Sequence, residues 1–262
     1  MEEGEDRAID GMRKRFQGVG NIIRFNWHFY ASAFAIALAL VFLRSNLHPT
    51  IRVASDIIVT LIVGSILVSL AVSCYIYDFS RLYKLSWLDT LLREEKSTVV
   101  NINAGFDETS YLLAEKYPDS ELLVLDFYDP ARHTEGSIKR ARKAYPAFSK
   151  TQAVRTNHLP LLDNSTDKVF LILSAHEIRS DDERAAFFKE LRRALTPEGQ
   201  LIVVEHLRDM ANSLAYNIGA LHFHSKSSWL RTFQVAGLRV ASETKITPFI
   251  TTFILEKNGT TS

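Results

Sequence analysis

The chain of 262 residues has a single cysteine, Cys74. One thiol excludes an internal disulfide and any zinc site built from several cysteines. A chain without disulfides fits a reducing compartment. The formal net charge is only +1, so the protein lacks the strong positive charge of a typical nucleic-acid-binding domain. We therefore expect no nucleic acid among its partners.

Charged side chains are missing from two long apolar runs near the beginning of the chain. Residues 27–43 contain no Asp, Glu, Lys or Arg, and residues 53–77 contain only Asp56. As helices, both runs are long enough to cross a hydrocarbon core of about 30 Å. The short connection between them contains Asn46 and Pro49, which interrupt a helix. The pattern predicts a transmembrane hairpin, with the lipid bilayer as its partner.

This pattern divides the chain into four parts. They are a basic interfacial segment 1–26, a two-span hairpin 27–79, an amphipathic connector 80–96 and a soluble domain 97–262. Two buried helices of a soluble core are the alternative for the hairpin, and the second run disfavours a cleaved signal peptide. Basic residues flank both outer ends of the hairpin, at Arg13, Lys14, Arg15 and Arg24 before it and at Arg81 and Lys84 after it. The hairpin tip has only Arg44 and Arg52, so the excess predicts an integral membrane protein whose domain faces the cytoplasm.

The soluble domain alternates between strand and helix patterns. Strands are predicted at 98–103, 122–125, 153–156, 167–173, 201–204, 237–243 and 250–256, and helices at 109–116, 135–144, 181–195 and 227–236. Residues 196–199 (TPEG) are predicted to form a turn. Alternating elements predict an α/β domain with a doubly wound, mostly parallel sheet, and the last two strands predict an antiparallel hairpin at its edge.

A nucleotide-cofactor half-site is indicated by residues 98–126. A buried strand is followed by a turn at residues 104–108, which contains Gly105, then by a helix and a second strand that ends on Asp126. A glycine turn lets the backbone approach a ligand, and a helix N-terminus favours negative charge. A carboxylate at the end of the second strand accepts hydrogen bonds from ribose hydroxyls. The pattern predicts an adenosine-bearing cofactor.

Residues 96–257 resemble the class I S-adenosylmethionine-dependent methyltransferases. Residues 100–109 lie where that family has its acidic-x-Gly-x-Gly-x-Gly turn, and Asp126 lies at its ribose-binding position. Residues 159–169 (LPLLDNSTDKV) are similar to its Leu-Pro-Phe-x-Asp-x-x-Phe-Asp-x-Val segment, and residues 191–201 (LRRALTPEGQL) to its Arg-x-Leu-x-Pro-Gly-Gly segment. The likeness is greatest to methyltransferases of quinone and lipid biosynthesis. It implies a Rossmann-like fold and S-adenosylmethionine as cofactor.

The resemblance also implies a set of cofactor-binding residues. They are Asn101, Asn103, Gly105, Asp107, Asp126 and Asn157. Asn101 and Asn157 stand where the family has acids, and Asn103 and Asp107 stand where it has glycines. Asparagine tolerates left-handed backbone geometry, so the turn can survive these changes. A membrane scaffold or binding protein with a decayed, non-catalytic methyltransferase fold is the alternative. A nicotinamide-dependent reductase would need Gly-x-Gly-x-x-Gly, which residues 103–108 do not supply.

Two pairs of histidine and glutamate follow the predicted fourth and fifth strands. They are His176 with Glu177, and Glu205 with His206. Ligands of an open α/β sheet bind beyond the carboxyl ends of its strands, so we expect both pairs at the site. Histidine can take a proton from a phenol near neutral pH, which makes His176 and His206 the catalytic candidates. A hydrogen-bonded cap or loop anchor is the alternative for each.

The predicted substrate contacts are Glu177, Glu205, Tyr216 and His222. His222 and His224, with Glu205 and His206, have the side chains of a zinc or iron site. Histidines scattered after sheet strands are more often pocket or structural residues, so we expect no metal.

Together these patterns predict a membrane-anchored methyltransferase. It would transfer a methyl group from S-adenosylmethionine to a hydrophobic small molecule that resides in the membrane, such as a quinone, phenolic, pigment or lipid precursor. The sequence leaves open whether the chain forms a homo-oligomer.

Overall fold

The computed structural model describes residues 13–89, 97–133 and 135–259. Two long helices come first, α1 (Gln17–Leu43) and α2 (Pro49–Cys74). The strands that follow are β1 (Thr98–Asn103), β2 (Glu121–Asp126), β3 (Gln152–Ala153), β4 (Thr166–Ile172), β5 (Leu195–His206), β6 (Leu238–Thr247) and β7 (Ile250–Lys257). The helices between them are α3 (Ser110–Lys116), α4 (Gly136–Ala144), α5 (Asp181–Ala194), α6 (Met210–Tyr216) and α7 (Lys226–Val235).

The strands form one seven-stranded sheet in the order β3-β2-β1-β4-β5-β7-β6. The first five strands are parallel, and β7 runs antiparallel to both β5 and β6. The predicted α/β domain with a mostly parallel sheet is therefore confirmed.

Two local predictions were wrong. Residues 196–199 are not a turn before β5 but a bulge within it, because Leu195 already pairs with Thr166 and the pairing resumes at Gln200 with Lys168. The third strand is also shorter than residues 153–156.

Buried side chains cover both faces of the sheet. On one face, Phe187 and Phe188 of α5 pack with Trp229 and Phe233 of α7. On the other face, the covering residues come partly from the segment after α2, where Leu82, Leu85 and Leu88 are fully buried beside α3. These leucines belong to the predicted amphipathic connector 80–96, of which residues 90–96 lie outside the described residues. The structure places the three leucines in the domain core.

The hairpin of α1 and α2 leaves its apolar side chains exposed. The segments Gln17–Asn46 and Pro49–Phe79 are long and apolar enough to cross a membrane. Phe34, Phe42 and Leu61 are all well exposed, with Phe42 at 80%. The helices are therefore not the buried core of a soluble fold, which was the alternative for these runs.

Helix α1 bends at Asn26, whose φ of −115° and ψ of 18° depart from helical geometry. The part before the bend lies on the α/β domain, where Gly18, Asn21 and Phe25 are buried. The part after the bend is the exposed apolar helix. The sequence predicts a separate interfacial segment at residues 1–26, of which residues 1–12 lie outside the described residues. The structure makes residues 17–26 the first turns of the same helix, resting on the domain.

The N-terminus of α1 is fastened to the turn that follows α2. This π-helical turn (Tyr75–Phe79) carries Asp78, whose two carboxylate oxygens accept hydrogen bonds from the backbone N–H groups of Gly18 and Val19 at 2.7 and 2.8 Å. The first amides of a helix have no partner within the helix, and its N-terminus favours a negative charge. A Cβ atom at Gly18 would lie only 2.3 Å from Cβ of Tyr77, so the contact requires glycine.

The substitution Gly18→Ala should detach the start of α1 from the Tyr75–Phe79 turn. The added methyl group overlaps Tyr77, and overpacking of this kind costs about 1–3 kcal/mol. We expect a lower unfolding temperature in detergent and faster hydrogen exchange of the backbone amides of residues 17–25.

Gly20→Ala is the matched control on the same helix. No atom lies within 4 Å of a Cβ at Gly20, and alanine favours a helix over glycine by about 1 kcal/mol. Equal effects of the two substitutions on stability and exchange would contradict the proposed contact.

Candidate active site

A cavity of about 220 Å³ opens at the carboxyl ends of β1, β4 and β5. Its floor lies at the ends of three strands, with Asn103 and Ala104 at the end of β1, Ile172 and Leu173 at the end of β4, and His206 at the end of β5. Its roof comes from Gly18, Asn21, Ile22, Phe25 and Asn26 of α1, together with Tyr77. The start of the first long helix therefore covers the edge of the sheet where α/β proteins bind their ligands.

The turn after β1 keeps the geometry of a ligand-binding glycine loop. Gly105 has a φ of +93°, which side chains disfavour, and its N–H donates to Oδ1 of Asn103 at 3.0 Å. Nδ2 of Asn103 and Oδ2 of Asp107 are buried and have no partner among the described residues. The turn therefore has an unused donor and an unused acceptor. The free donor fits the carboxylate at the amino-acid end of S-adenosylmethionine, and the free acceptor fits its ammonium group. Asn103 lines the cavity, whereas Asp107 is not among its lining residues.

Asn101 lies beneath this turn and does not line the cavity. Its side chain is buried, and Nδ2 donates to Oγ1 of Thr109 at 3.0 Å and to Oγ of Ser110 at 2.8 Å. Oδ1 of Asp107 accepts from the N–H groups of the same two residues. Both side chains therefore fix the start of α3 below the turn.

Asp126 ends β2 beside the turn, as the sequence predicted. One carboxylate oxygen accepts from the N–H of Tyr128 at 2.8 Å, and the other accepts from Nη1 of Arg142 at 2.5 Å. The guanidinium of Arg142 also lies 4.3 Å from the centre of the Tyr128 ring. A Cβ at Gly105 would be 2.7 Å from Nη1 of Arg142, so the arginine lies directly over the glycine turn. A carboxylate has about four acceptor positions, which leaves room for ribose hydroxyls.

The sequence missed Arg142 as a site residue. It lies in the basic helix α4. Arg140 of the same helix donates to the carbonyl oxygen of Phe25 at 2.7 Å, so α4 also holds α1. No sequence signal distinguishes these two arginines from their neighbours Lys139 and Lys143, because their partners lie far away in the chain.

Asn157 lies apart from the cavity. It is exposed and lines a second depression with Phe127, His133 and Thr156. The predicted contact with a cofactor base stays a prediction.

His176 forms an ion pair with a buried carboxylate. Its Nδ1 lies 2.7 Å from Oε2 of Glu205, which is fully buried and also accepts from the backbone N–H of His176. Burial alone would lower the pKa of His176, but the charges and hydrogen bonds of Glu205 and Glu177 outweigh it and raise this pKa to about 10. A protonated imidazole cannot accept a proton, so this geometry favours binding over general-base catalysis. Its assignment as a base stays a prediction.

Glu177 lies between two histidines. Its Oε1 is 3.5 Å from Nε2 of His176 and 3.7 Å from Nε2 of His222. Burial would raise the pKa of Glu177, but the hydrogen bonds from both histidines prevail and hold this pKa well below its usual range. Of the predicted substrate contacts, only Glu177 is among the residues that line the cavity. Glu205 lies behind His176, and the ring of His222 packs beside the ring of His176.

His206 differs from His176 in its charge state. Burial lowers its pKa to about 4, so the ring is neutral at pH 7. Nδ1 lies 3.0 Å from Oδ1 of Asn212, whose Nδ2 donates to the carbonyl oxygen of Phe249. Because Asn212 offers an acceptor, the proton of His206 lies on Nδ1, and Nε2 accepts from the hydroxyl of Tyr77 at 2.8 Å. Tyr216, a predicted substrate contact, packs edge-on against the His206 ring instead of lining the cavity.

Glu108 is a second residue that sequence reasoning missed. It is the last residue of the glycine turn and lines the cavity, and its side chain is buried. Its carboxylate accepts from Arg13 at 2.9 Å, from Asn21 at 3.3 Å and from the hydroxyl of Tyr83 at 2.8 Å. Glu108 thus links the turn to the start of α1. The sequence gives no signal for it, because its partners come from segments about 90 residues earlier and 25 residues earlier in the chain.

Known proteins share this fold. Residues 101–203 match a family model described as a methyltransferase domain. No curated protein sequence matches the chain. The PH0226 protein from Pyrococcus horikoshii OT3 is similar in structure, with a TM-score of 0.51 and 16% identity over 68% of this chain and 89% of that chain. A SAM-dependent methyltransferase from Aquifex aeolicus gives a TM-score of 0.49 and 16% identity, over 64% of this chain and 86% of that one.

The matched residues, 101–203, include the end of β1 with its glycine turn, Asp126, and β4 with His176 after it. The orphan polar atoms of Asn103 and Asp107 fit the amino-acid end of the cofactor. Residues 101–203 therefore belong to a methyltransferase domain, with S-adenosylmethionine as its methyl donor.

Proposed function

We propose that the protein is a membrane-anchored methyltransferase that acts on a hydrophobic small molecule resident in the bilayer, such as a quinone, phenolic, pigment or lipid precursor. One observation carries the proposal. The roof of the cavity includes Phe25 and Asn26, and the next residue in α1 is Trp27, where the exposed apolar part of the helix begins.

The second long helix supports the same placement. Tyr77 lines the cavity only three residues after the end of α2 at Cys74. Both long helices thus have their domain-side ends at the mouth of one cavity, and Asp78 holds these ends together. With both helices in a bilayer, the mouth lies at the membrane surface. A hydrophobic substrate would then enter without crossing water.

S-adenosylmethionine supplies an electrophilic methyl group when it is bound. Asn103, Asp107 and Asp126 are the residues that would hold it, because they offer a free amide donor, a free carboxylate oxygen and a partly free carboxylate. The protein's main task is then to align the nucleophile with the methyl group.

Tyr77 and His206 are placed to handle a proton from a substrate hydroxyl. The Tyr77 hydroxyl donates to His206, which leaves its oxygen free to accept from a second hydroxyl in the cavity. The neutral ring of His206 has the protonation state that a base requires. In this arrangement Tyr77 contacts the substrate hydroxyl. When Tyr77 takes up the substrate proton, it passes its own hydroxyl proton to Nε2 of His206.

Asp126→Asn should weaken binding of S-adenosylmethionine to the full-length protein in detergent. The substitution replaces charge-assisted hydrogen bonds to the ribose by neutral ones, and the difference of about 1–1.5 kcal/mol corresponds to about 10-fold in affinity. Calorimetry measures the dissociation constant.

Asp119→Asn, at an exposed turn before β2, is the control and should bind like the wild type. Equal affinity of all three proteins would show that Asp126 does not contact the ribose.

Methyl transfer to a membrane molecule can be measured directly. The full-length protein in nanodiscs made with extracted cellular lipids should move a tritiated methyl group from S-adenosylmethionine into the fraction soluble in organic solvent. His206→Gln should lower this turnover at least about 100-fold, because a general base contributes about 100- to 10,000-fold. The affinity for S-adenosylmethionine should stay unchanged, since His206 is not among the residues that would hold it.

Label found only in water-soluble products would contradict the membrane-resident substrate. Near-normal turnover of His206→Gln would remove His206 as the base, and the same measurement on His176→Gln then decides whether that histidine is needed.

The single native cysteine allows a test of the predicted orientation. In a Cys74→Ser background, Ser45→Cys places a thiol in the exposed tip of the hairpin, and Asp119→Cys places one on the domain. A membrane-impermeant maleimide should label residue 45 in intact cells and should label residue 119 only after lysis. Labelling of both positions, or of neither, in intact cells would contradict a two-span hairpin with a cytoplasmic domain.

A further inference from the structure

Three metal-ligating side chains converge at one end of the cavity. Nε2 of His176 and Nε2 of His222 lie 3.5 and 3.7 Å from the same oxygen of Glu177. One ligand atom from each residue lies within 4.8 Å of the others. Ligand atoms on a tetrahedral ion with bonds of about 2.1 Å are about 3.4 Å apart, so both spacings to Glu177 are already within a few tenths of an ångström of this value. The two imidazole nitrogens, which lie within 4.8 Å of each other, would have to approach by up to about 1.4 Å.

The other nitrogen of each imidazole faces a carboxylate. Nδ1 of His176 lies 2.7 Å from Glu205, and Nδ1 of His222 lies 3.5 Å from Glu135. Metal-bound histidines commonly have this arrangement, because a carboxylate on the far nitrogen fixes the ring and leaves the near nitrogen free for the metal. The outer carboxylates therefore orient both Nε2 atoms toward the same point beside Glu177.

We propose that His176, Glu177 and His222 bind one divalent first-row transition metal ion, such as Zn²⁺, Fe²⁺ or Mn²⁺. Two imidazoles and one carboxylate suit these ions, whereas Mg²⁺ and Ca²⁺ prefer oxygen ligands alone. Sequence analysis had predicted no metal. The set of residues that it considered there combined His222 with His224, Glu205 and His206 and omitted His176 and Glu177.

The chain supplies three ligands, which leaves coordination positions open. His176 and Glu177 both line the cavity, so an open position faces its interior. An oxygen of a molecule in the cavity can take that position, and the ion would then act as a Lewis acid on it. Binding of the ion is a property of these side chains alone and does not depend on the proposed substrate.

Cobalt titration tests the site. The full-length protein, carrying an affinity tag without histidines, is treated with a chelator in detergent and titrated with Co²⁺. We expect one Co²⁺ per chain, visible as d–d absorption, and displacement of the signal by one equivalent of Zn²⁺. Glu177→Gln and His222→Gln should each weaken Co²⁺ binding by at least about 10-fold.

Glu205→Gln tests the positioning role of the outer carboxylate. It should also weaken Co²⁺ binding, by about 10- to 100-fold, although Glu205 touches no metal ion itself. Exposed residues of the same types give the controls His158→Gln and Glu115→Gln, which should bind Co²⁺ like the wild type.

His222 has a partly exposed side chain in a short turn, so its substitution should leave the unfolding temperature nearly unchanged and keep the binding result interpretable. Absence of stoichiometric Co²⁺ binding by the folded wild type would overturn the proposal. Equal Co²⁺ affinity of the site variants and the controls would also overturn it, since the three side chains would then be an ion-pair cluster only. These outcomes are separate from the methyl-transfer assay, which can succeed or fail on its own.

Discussion

The carboxylate of Asp78 holds the first amides of α1, and the structure of the site depends on this contact. It satisfies N–H groups at the start of α1 that would otherwise need water or an anion, and so helps to hold this helix across the sheet edge. Gly18 makes the contact close enough by bringing α1 against Tyr77. Glu108 adds a second link, from the glycine turn to Arg13 and Asn21 of the covering segment. The cavity is therefore closed by the same helix that continues as the exposed apolar segment.

His176 and His206 line the same cavity, but only the ring of His176 is charged. Burial opposes the charged imidazolium at both positions. At His176 the neighbouring carboxylates outweigh burial, whereas His206 faces the neutral groups of Asn212 and Tyr77 and stays uncharged. The two side chains can consequently play different roles. His206 has the protonation state of a base, and His176 belongs to the group of side chains around Glu177.

The sequence predicted the elements well where the signal is local. Apolar runs predicted the strands, and the turn at Gly105 and the strand end at Asp126 lie where they were predicted, because both can be read from neighbouring residues. Periodic leucines at 82, 85 and 88 correctly indicated an apolar face but not the surface it covers, which turned out to be the sheet. Arg142 and Glu108 were missed because their partners come from distant segments. The arrangement of His176, Glu177 and His222 likewise appears only when the loop before α7 folds back beside β4.

The central claim is that α1 both covers the active site and enters the membrane, with the bend at Asn26 near the bilayer surface. The most direct test is the depth of spin labels along α1 in nanodiscs, measured by electron paramagnetic resonance from their accessibility to oxygen and to a water-soluble nickel complex. Labels are attached one at a time to cysteines introduced at positions 23, 27 and 34 in the Cys74→Ser protein, with position 119 as the aqueous reference. The account predicts a label at 34 inside the hydrocarbon core, one at 27 near the interface and one at 23 outside it. If the labels at 27 and 34 were as accessible to the nickel complex as the label at 119, α1 would not enter the membrane.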